Sequence, residues 1–267
     1  MKRVLLSGFL MLACTVAWGL TVEEAFEAGN QAYARGENVL DEVRSKASHE
    51  KEKLKEAAEK EFERALANYG ACLEQAESAA LHHNMGNAYF KLGQLGWSIY
   101  HFRRAQELDP ATEEVRANLA FVRTTAGLEA LPSNLYMKTL ARRPAGFWVW
   151  LLAMGFWSGA ALLVFPRMLG ARGPVFPIVG TVILLFSLVP AWAVLQAGRA
   201  ETAAIVLDND TPLLVSPTGD SAVATYLQGG EPVELSRGKA HADHFFVTTS
   251  TGEQGWVVRP NLGRVRE

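Results

Sequence analysis

Charge is what the chain has least of where it counts: between Arg143 and Arg199 only Arg167 and Arg172 are charged, although charged residues make up 20% of the 267 positions. So bare a stretch excludes a solvated surface and is what a bilayer requires. Cysteine is scarce too. Only Cys14 and Cys72 occur, and neither stands in a CxxC or Cys/His cluster, so no zinc framework, redox pair or other cofactor is expected. Nor is there an excess of basic charge. A formal net charge of -2 and a pI near 6.3 leave no electrostatic case for binding nucleic acid.

The N-terminus reads as an export signal. Lys2 and Arg3 precede an apolar run from Val4 to Trp18, and Ala17-Trp18-Gly19 puts small residues where a signal peptidase reads them. Residues 1–19 are therefore expected to be removed after Gly19, and an uncleaved anchor helix is the alternative. Cleavage leaves Cys72 as the only thiol and excludes an intramolecular disulfide.

From Ala80 the run AALHHNMGNAYFKLGQLGWSIYHFRRAQELDP places apolar residues at helical spacing on two faces, divided by Gly93-Gln94. This predicts an αα-hairpin, with Gly86 admitting the close approach of the second helix at Ser98, and Pro110 ending it. Met85, Gly86, Tyr89, Gly93, Ser98, Phe102, Ala105 and Pro110 together resemble the tetratricopeptide repeat pattern, with Ser98 where alanine is usual. A shift of 34 residues from Met85-Gly86 reaches Leu119-Ala120, which predicts a further first helix. Upstream, Gly29-Asn30, Tyr33 and Gly36 repeat the first helix, and Ala65, Tyr69 and Cys72 repeat the second.

The upstream repeat is split: Gly29 lies 57 residues before Gly86, but Tyr69 only 33 before Phe102. The extra segment, 41–64, is rich in Glu and Lys, with Val43, Ala47, Leu54, Ala58, Phe62, Ala65 and Tyr69 at intervals near the helical repeat. It is read as an extension of the second helix, with Glu56 and Lys60 as an i,i+4 pair. A solvated charged helix is favoured over a coiled-coil arm for a partner. The repeat domain as a whole spans 20–128, and a linker covers 129–146.

Phe147 to Phe165 covers about 28 Å as a helix, close to the hydrocarbon thickness of about 30 Å. Val175 to Leu195 is the second span, with Pro190 expected to kink or end the regular helix. Together, 147–195 read as a two-helix transmembrane hairpin. Trp148, Trp150 and Trp192 suit one interface, and Gly155 and Gly159 allow close helix approach, to Gly180 or to a second copy. Arg167 and Arg172 place the loop on the cytoplasmic side; Arg142 and Arg143 argue against that, and the export signal decides for it. The repeats and the C-terminus are then extracytoplasmic.

Residues 200–267 change to short β-rich runs at Thr202–Leu207, Pro232–Leu235, His244–Thr249 and Gly255–Val258. Asp208-Asn209-Asp210, Gly229-Gly230 and Thr251-Gly252 separate them. With Leu227-Gln228-Gly229-Gly230-Glu231 and Gly252-x-x-Gly255-Trp256-Val257, the order resembles the bacterial SH3 domain, a small all-β barrel. Trp256 is expected in its core. Tyr226, Phe245 and Phe246 are the candidates for an aromatic groove, and the resemblance implies cell-wall peptides as ligands.

The arrangement as a whole is similar to the BatE family of Bacteroides aerotolerance operons. The motifs around Gly86, Asn118 and Trp256 carry that likeness, and the insert after Gly36 departs from it. The resemblance implies a scaffold in the bacterial inner (cytoplasmic) membrane, partnered with BatD and the von Willebrand factor A proteins of the same operon, with a MoxR-type ATPase, and linked to stress or oxygen tolerance. The alternative is a receptor or anchor that binds peptidoglycan through the SH3-like domain. Catalysis is not expected, because His82, His83, His101, His241 and His244 lack a nucleophile with an orienting partner, and adjacent histidines on a helix point apart. Asn30, His83, Asn87, Phe90 and Lys91 are the expected partner-binding residues, since first helices of such repeats line the concave surface. The weaker reading of these side chains is that they only solvate a spacer.

Overall fold

A computed structural model describes residues 21–43, 47–129, 145–170, 173–200, 203–218 and 220–265. The expected export signal, Arg142, Arg143, Arg172 and most of the linker lie outside the described residues.

Helix α1 (Val22–Val43) opens on a capping box, in which the Glu24 N–H donates to Thr21 Oγ1 at 3.2 Å and the Thr21 N–H donates to the Glu24 carboxylate at 2.9 Å. Helix α2 (Ser48–Leu73) returns against it. Both are longer than α3 (Ala79–Lys91) and α4 (Leu95–Leu108), so the insert is shared by both helices and does not extend the second alone. A duplicated seam is the reason. Gly36 faces Phe62 as Gly29 faces Tyr69, with Ala25, Ala32, Ala58 and Ala65 buried beside them. Gly36, after which the sequence reading placed the insert, is thus a buried residue inside α1.

Helix α3 starts on Ser78, whose Oγ accepts from the Leu81 N–H at 3.1 Å. It ends where Gly93 adopts φ 72°, so that the Gly93 and Gln94 N–H groups reach the carbonyls of Phe90 and Tyr89. Between α3 and α4 the repeat seam forms as expected. A Cβ on Gly86 would lie 2.9 Å from Phe102 ring carbons, and Ser98 Oγ donates to the Gly86 carbonyl at 2.8 Å. Asp109, with φ -134° and ψ 89°, has left the helical region, as a residue before proline prefers, and α5 (Glu113–Thr125) follows as a third first-type helix.

Helix α6 (Ala145–Met168) exposes large apolar side chains, among them Trp150, Trp157 and Phe165. The second apolar run is divided into α7 (Val175–Phe186) and α8 (Leu188–Ala200). Pro190 accounts for the break, because it offers no N–H to the Phe186 carbonyl and its ring crowds that turn. Two helical segments, Gly146–Met168 and Val175–Leu195, are long and apolar enough to cross a membrane. They touch at glycines. A Cβ on Gly180 would stand 2.9 Å from the Gly159 carbonyl oxygen, and Gly155 lies against Ser187, so the Gly155/Gly159 spacing serves the hairpin itself.

The C-terminal region is one antiparallel sheet of β1 (Ala203–Val206), β2 (Thr211–Leu214), β3 (Val223–Leu227), β4 (Pro232–His241), β5 (His244–Thr249), β6 (Gln254–Val258) and β7 (Leu262–Arg264). The strand order is β3-β2-β6-β5-β4-β1-β7, and its edges β3 and β7 are not paired, so the sheet does not close into the expected barrel. Val206, Leu213, Leu227, Val233, Val247 and Val257 lie in its core. Trp256 does not. Gly255 and Val257 point inward, and the period of two along a strand sends Trp256 outward, to stack edgewise on Phe246 at 5.2 Å.

The sheet is docked on the repeats. Ile99, Phe102, Leu119, Val122 and Ala126 share one buried cluster with Ile205 and Val265. Gly96 on α4 lies so close to the backbone of Leu207 and Gly230 that a Cβ would stand 2.9 Å from the Gly230 nitrogen. Trp97 Nε1 donates to Asp208 at 3.1 Å, and the Arg104 guanidinium donates to the Val265 carbonyl at 2.7 Å.

Candidate functional site

The three first-type helices α1, α3 and α5 present a row of neutral polar side chains. Asn30 on α1 accepts through Oδ1 from the Tyr69 hydroxyl and from Asn84 Nδ2, both at 2.9 Å. Burial pushes the Tyr69 hydroxyl up to about 12, which keeps it a neutral donor. On α5, Asn118 Nδ2 reaches His83 Nε2 at 3.0 Å and Asn87 Oδ1 at 3.3 Å, which fixes His83 Nε2 as an acceptor. Asn30, Tyr33, Tyr69, Asn84 and Asn87 line a cavity of about 130 Å³. The row ends in an aromatic pair, Phe90 and Phe121, with centroids 5.5 Å apart.

Of the residues expected from the sequence, Asn30 and Asn87 line one cavity, His83 and Asn87 share Asn118 as a partner, and Phe90 packs on Phe121. The Lys91 ammonium is paired with Glu37 at 2.6 Å, a charge supplied by the elongated part of α1. Sequence reasoning missed Asn84, Asn118, Tyr69 and Phe121 as members of the row. For the two asparagines the signal was present: Asn84 stands one turn before Ala88 on the face of Asn87, and Asn118 lies 34 residues after Asn84, at the same place in the next repeat.

Behind this surface is a buried polar network that joins the helices to the sheet. His82 Nδ1 and His101 Nδ1 are 2.8 Å apart, and His82 Nε2 lies 2.8 Å from Glu77 Oε1. A carboxylate only accepts, so His82 carries its proton on Nε2, and His101 must donate from Nδ1 to close the pair. Burial, reinforced by His82 and Arg104, pushes His101 down to about 3. Burial also lowers His82, against the pull of Glu77. For Glu77 burial acts upward, but hydrogen bonds from His82 and Arg104 outweigh it and hold the carboxyl below its usual range. Arg104 bridges from Glu77 to Val265, so the network's work is structural.

The aromatic groove expected on the sheet is divided between two faces. Phe245 packs on the core beneath the guanidinium groups of Arg259 and Arg264, whereas Phe246 lies with Trp256 on the outer face. Tyr226 is 64% exposed opposite Pro212 on β2, and Leu214 pairs in turn with Trp256. Tyr226, Leu214, Trp256 and Phe246 therefore form one outer stripe. Among the described residues no group of three or more His, Cys, Asp or Glu could hold a metal ion.

Residues 79–111 match the tetratricopeptide repeat family model, which covers α3, α4 and the turn after them. No curated protein and no solved structure matches the chain. Tetratricopeptide repeats are typically non-catalytic modules of protein–protein interaction, and the family match supports that role for this chain.

Proposed function

We propose that the chain is a membrane-anchored interaction scaffold of a bacterial cell-envelope complex, holding an extended protein segment against α1, α3 and α5. The observation that carries this reading is a pair of polar clusters, one of Asn30 with Asn84 and the other of Asn87 and His83 with Asn118, which meet at the cavity lined by Asn30, Asn84 and Asn87. Side-chain amides carry both donors and acceptors, which suits the backbone of an extended peptide better than any single charged group. Phe90 and the exposed Phe121 supply an apolar edge beside it. Two helical segments long and apolar enough to cross a membrane support the anchoring, and the export signal expected from the sequence supports a groove outside the cytoplasm. The resemblance to the BatE family extends the proposal to BatD and von Willebrand factor A proteins as partners, and to a role in aerotolerance.

A second reading has its own observation. The outer stripe of Tyr226, Leu214, Trp256 and Phe246 gives an SH3-like domain a surface for cell-wall peptides. The test separates the two: an Asn87→Ala/Asn118→Ala variant of the full chain, checked for helicity by circular dichroism, is compared with the parent in co-purification from membranes. Loss of protein partners with helicity intact supports the groove. A folded variant that retains every partner sinks it and leaves the sheet's outer stripe as the binding surface.

A further inference from the structure

The basic residues of the sheet are segregated in the sequence. From Ala200 to Ser236 there is no lysine or arginine, and Arg237, Lys239, Arg259 and Arg264 all come afterwards. Strand register shows that they are segregated in space as well. β1 receives the chain from α8, which ends at Ala200, three residues before Ala203. Ala203 pairs with Glu234, and Ile205 with Pro232, so β4 beyond Glu234 runs past the start of β1, the end that α8 precedes in the chain.

β5 pairs Thr248 with Glu234 and continues to His244, four residues or about 13 Å at the rise of a strand. β4 covers this distance with a bulge between Leu235 and Ala240 that holds Arg237, Gly238 and Lys239, Gly238 having φ 80°. Arg259 belongs to the same tip, since its N–H donates to the Asp243 carbonyl at 2.7 Å. Arg264 pairs with Ala204 at the same end of β1. Arg259 and Arg264 are exposed, with guanidinium carbons 4.6 and 5.6 Å from the Phe245 ring centroid. Among the described residues Glu234 and Asp243 are the acidic ones at this end, and His241 and His244 flank the turn. Asp208, Glu231 and Glu253 lie at the opposite ends of their strands.

We infer that the β4–β5 hairpin tip, with Arg259 and Arg264, docks on anionic lipid headgroups of the bilayer. This rests on the reading of α6–α8 as membrane spans. The chain from Leu195 to Ala203 reaches at most about 17 Å, five residues as helix and three extended. The tip returns most of that way, which brings this end of the sheet, with the exposed Arg259 and Arg264, to headgroup depth. There, phosphates accept forked hydrogen bonds from guanidinium, and each basic residue near an anionic surface contributes about fivefold in occupancy.

The test uses the full chain in nanodiscs of phosphatidylcholine alone or mixed with phosphatidylglycerol, with hydrogen exchange read over residues 236–245. The expected result is exchange slowed about fivefold or more in the anionic discs. The difference should vanish at 1 M salt and in an Arg237→Glu/Lys239→Glu variant, while exchange in α3 and α4 stays the same. Equal exchange in both lipids, with the protein held in the discs, overturns the docking. So does lipid-dependent protection that survives the charge reversal. A chain that washes out of the discs at alkaline pH overturns the membrane reading itself, and this inference with it.

Discussion

His101 shows how much a single side chain is asked to do at the junction. It is stacked on Tyr89 at 5.1 Å, bonded to His82 and 2% exposed, so it must stay neutral. Its folded-state value, about 3, lies below the ordinary imidazole value, and His82 is displaced in the same direction. The unfolded chain therefore takes up protons first as the pH falls. The stability these residues hold is complete above about pH 6.5 and declines as the pH falls from there towards 3. Glu77 has the same sign, since its lowered carboxyl favours the fold until it is protonated below its ordinary range. The unfolding midpoint should thus drop with acidification, and His101→Gln should flatten the decline, because an amide donates to His82 without titrating. Thermal melts between pH 7 and 4 check this. An unchanged slope in the variant would remove His101 from the account.

The first helical pair gives the clearest element-level expectation. Its elongated part is held by its own seam, and Phe62 is 1% exposed against Gly36. Phe62→Ala should cost about 3–5 kcal/mol of local stability. Native-state hydrogen exchange should show the loss in α1 and α2 and leave α4 and β1 protected; equal loss throughout would mean that the arm and the body unfold as one. Much at this scale was legible in the sequence. Gly86, Phe102 and Pro110 gave the α3–α4 hairpin, and Pro190 gave the interruption of the second span. Gly36 misled because a glycine seven residues after another reads equally as a helix stop or as a second turn of the same seam. Trp256 misled because residue type was weighed above alternation, although Gly255 and Val257 already filled the inward positions of β6.

The arrangement of the whole molecule was the least legible, for a physical reason. Periodicity marks which helix faces are apolar but not what covers them. Ile99 and Tyr100 lie on a face of α4 that the repeat seam does not use, and their partners, Gly230 and Gly263, follow more than a hundred residues later. Once docked, the repeats and the sheet form a single body, although two candidate spans separate them in the chain. Such a body requires both parts on one face of the membrane, whichever face that is. Cysteine labelling reads this most directly, in a Cys14→Ser chain whose buried Cys72 is held as an unreactive thiol. Single cysteines would replace the exposed residues Glu59 on α2, Asp220 between β2 and β3, and Leu169 after α6. A membrane-impermeant maleimide added to intact cells should label Glu59→Cys and Asp220→Cys alike, and Leu169→Cys only after lysis. Labelling of Glu59→Cys from one side and Asp220→Cys from the other would contradict the single body.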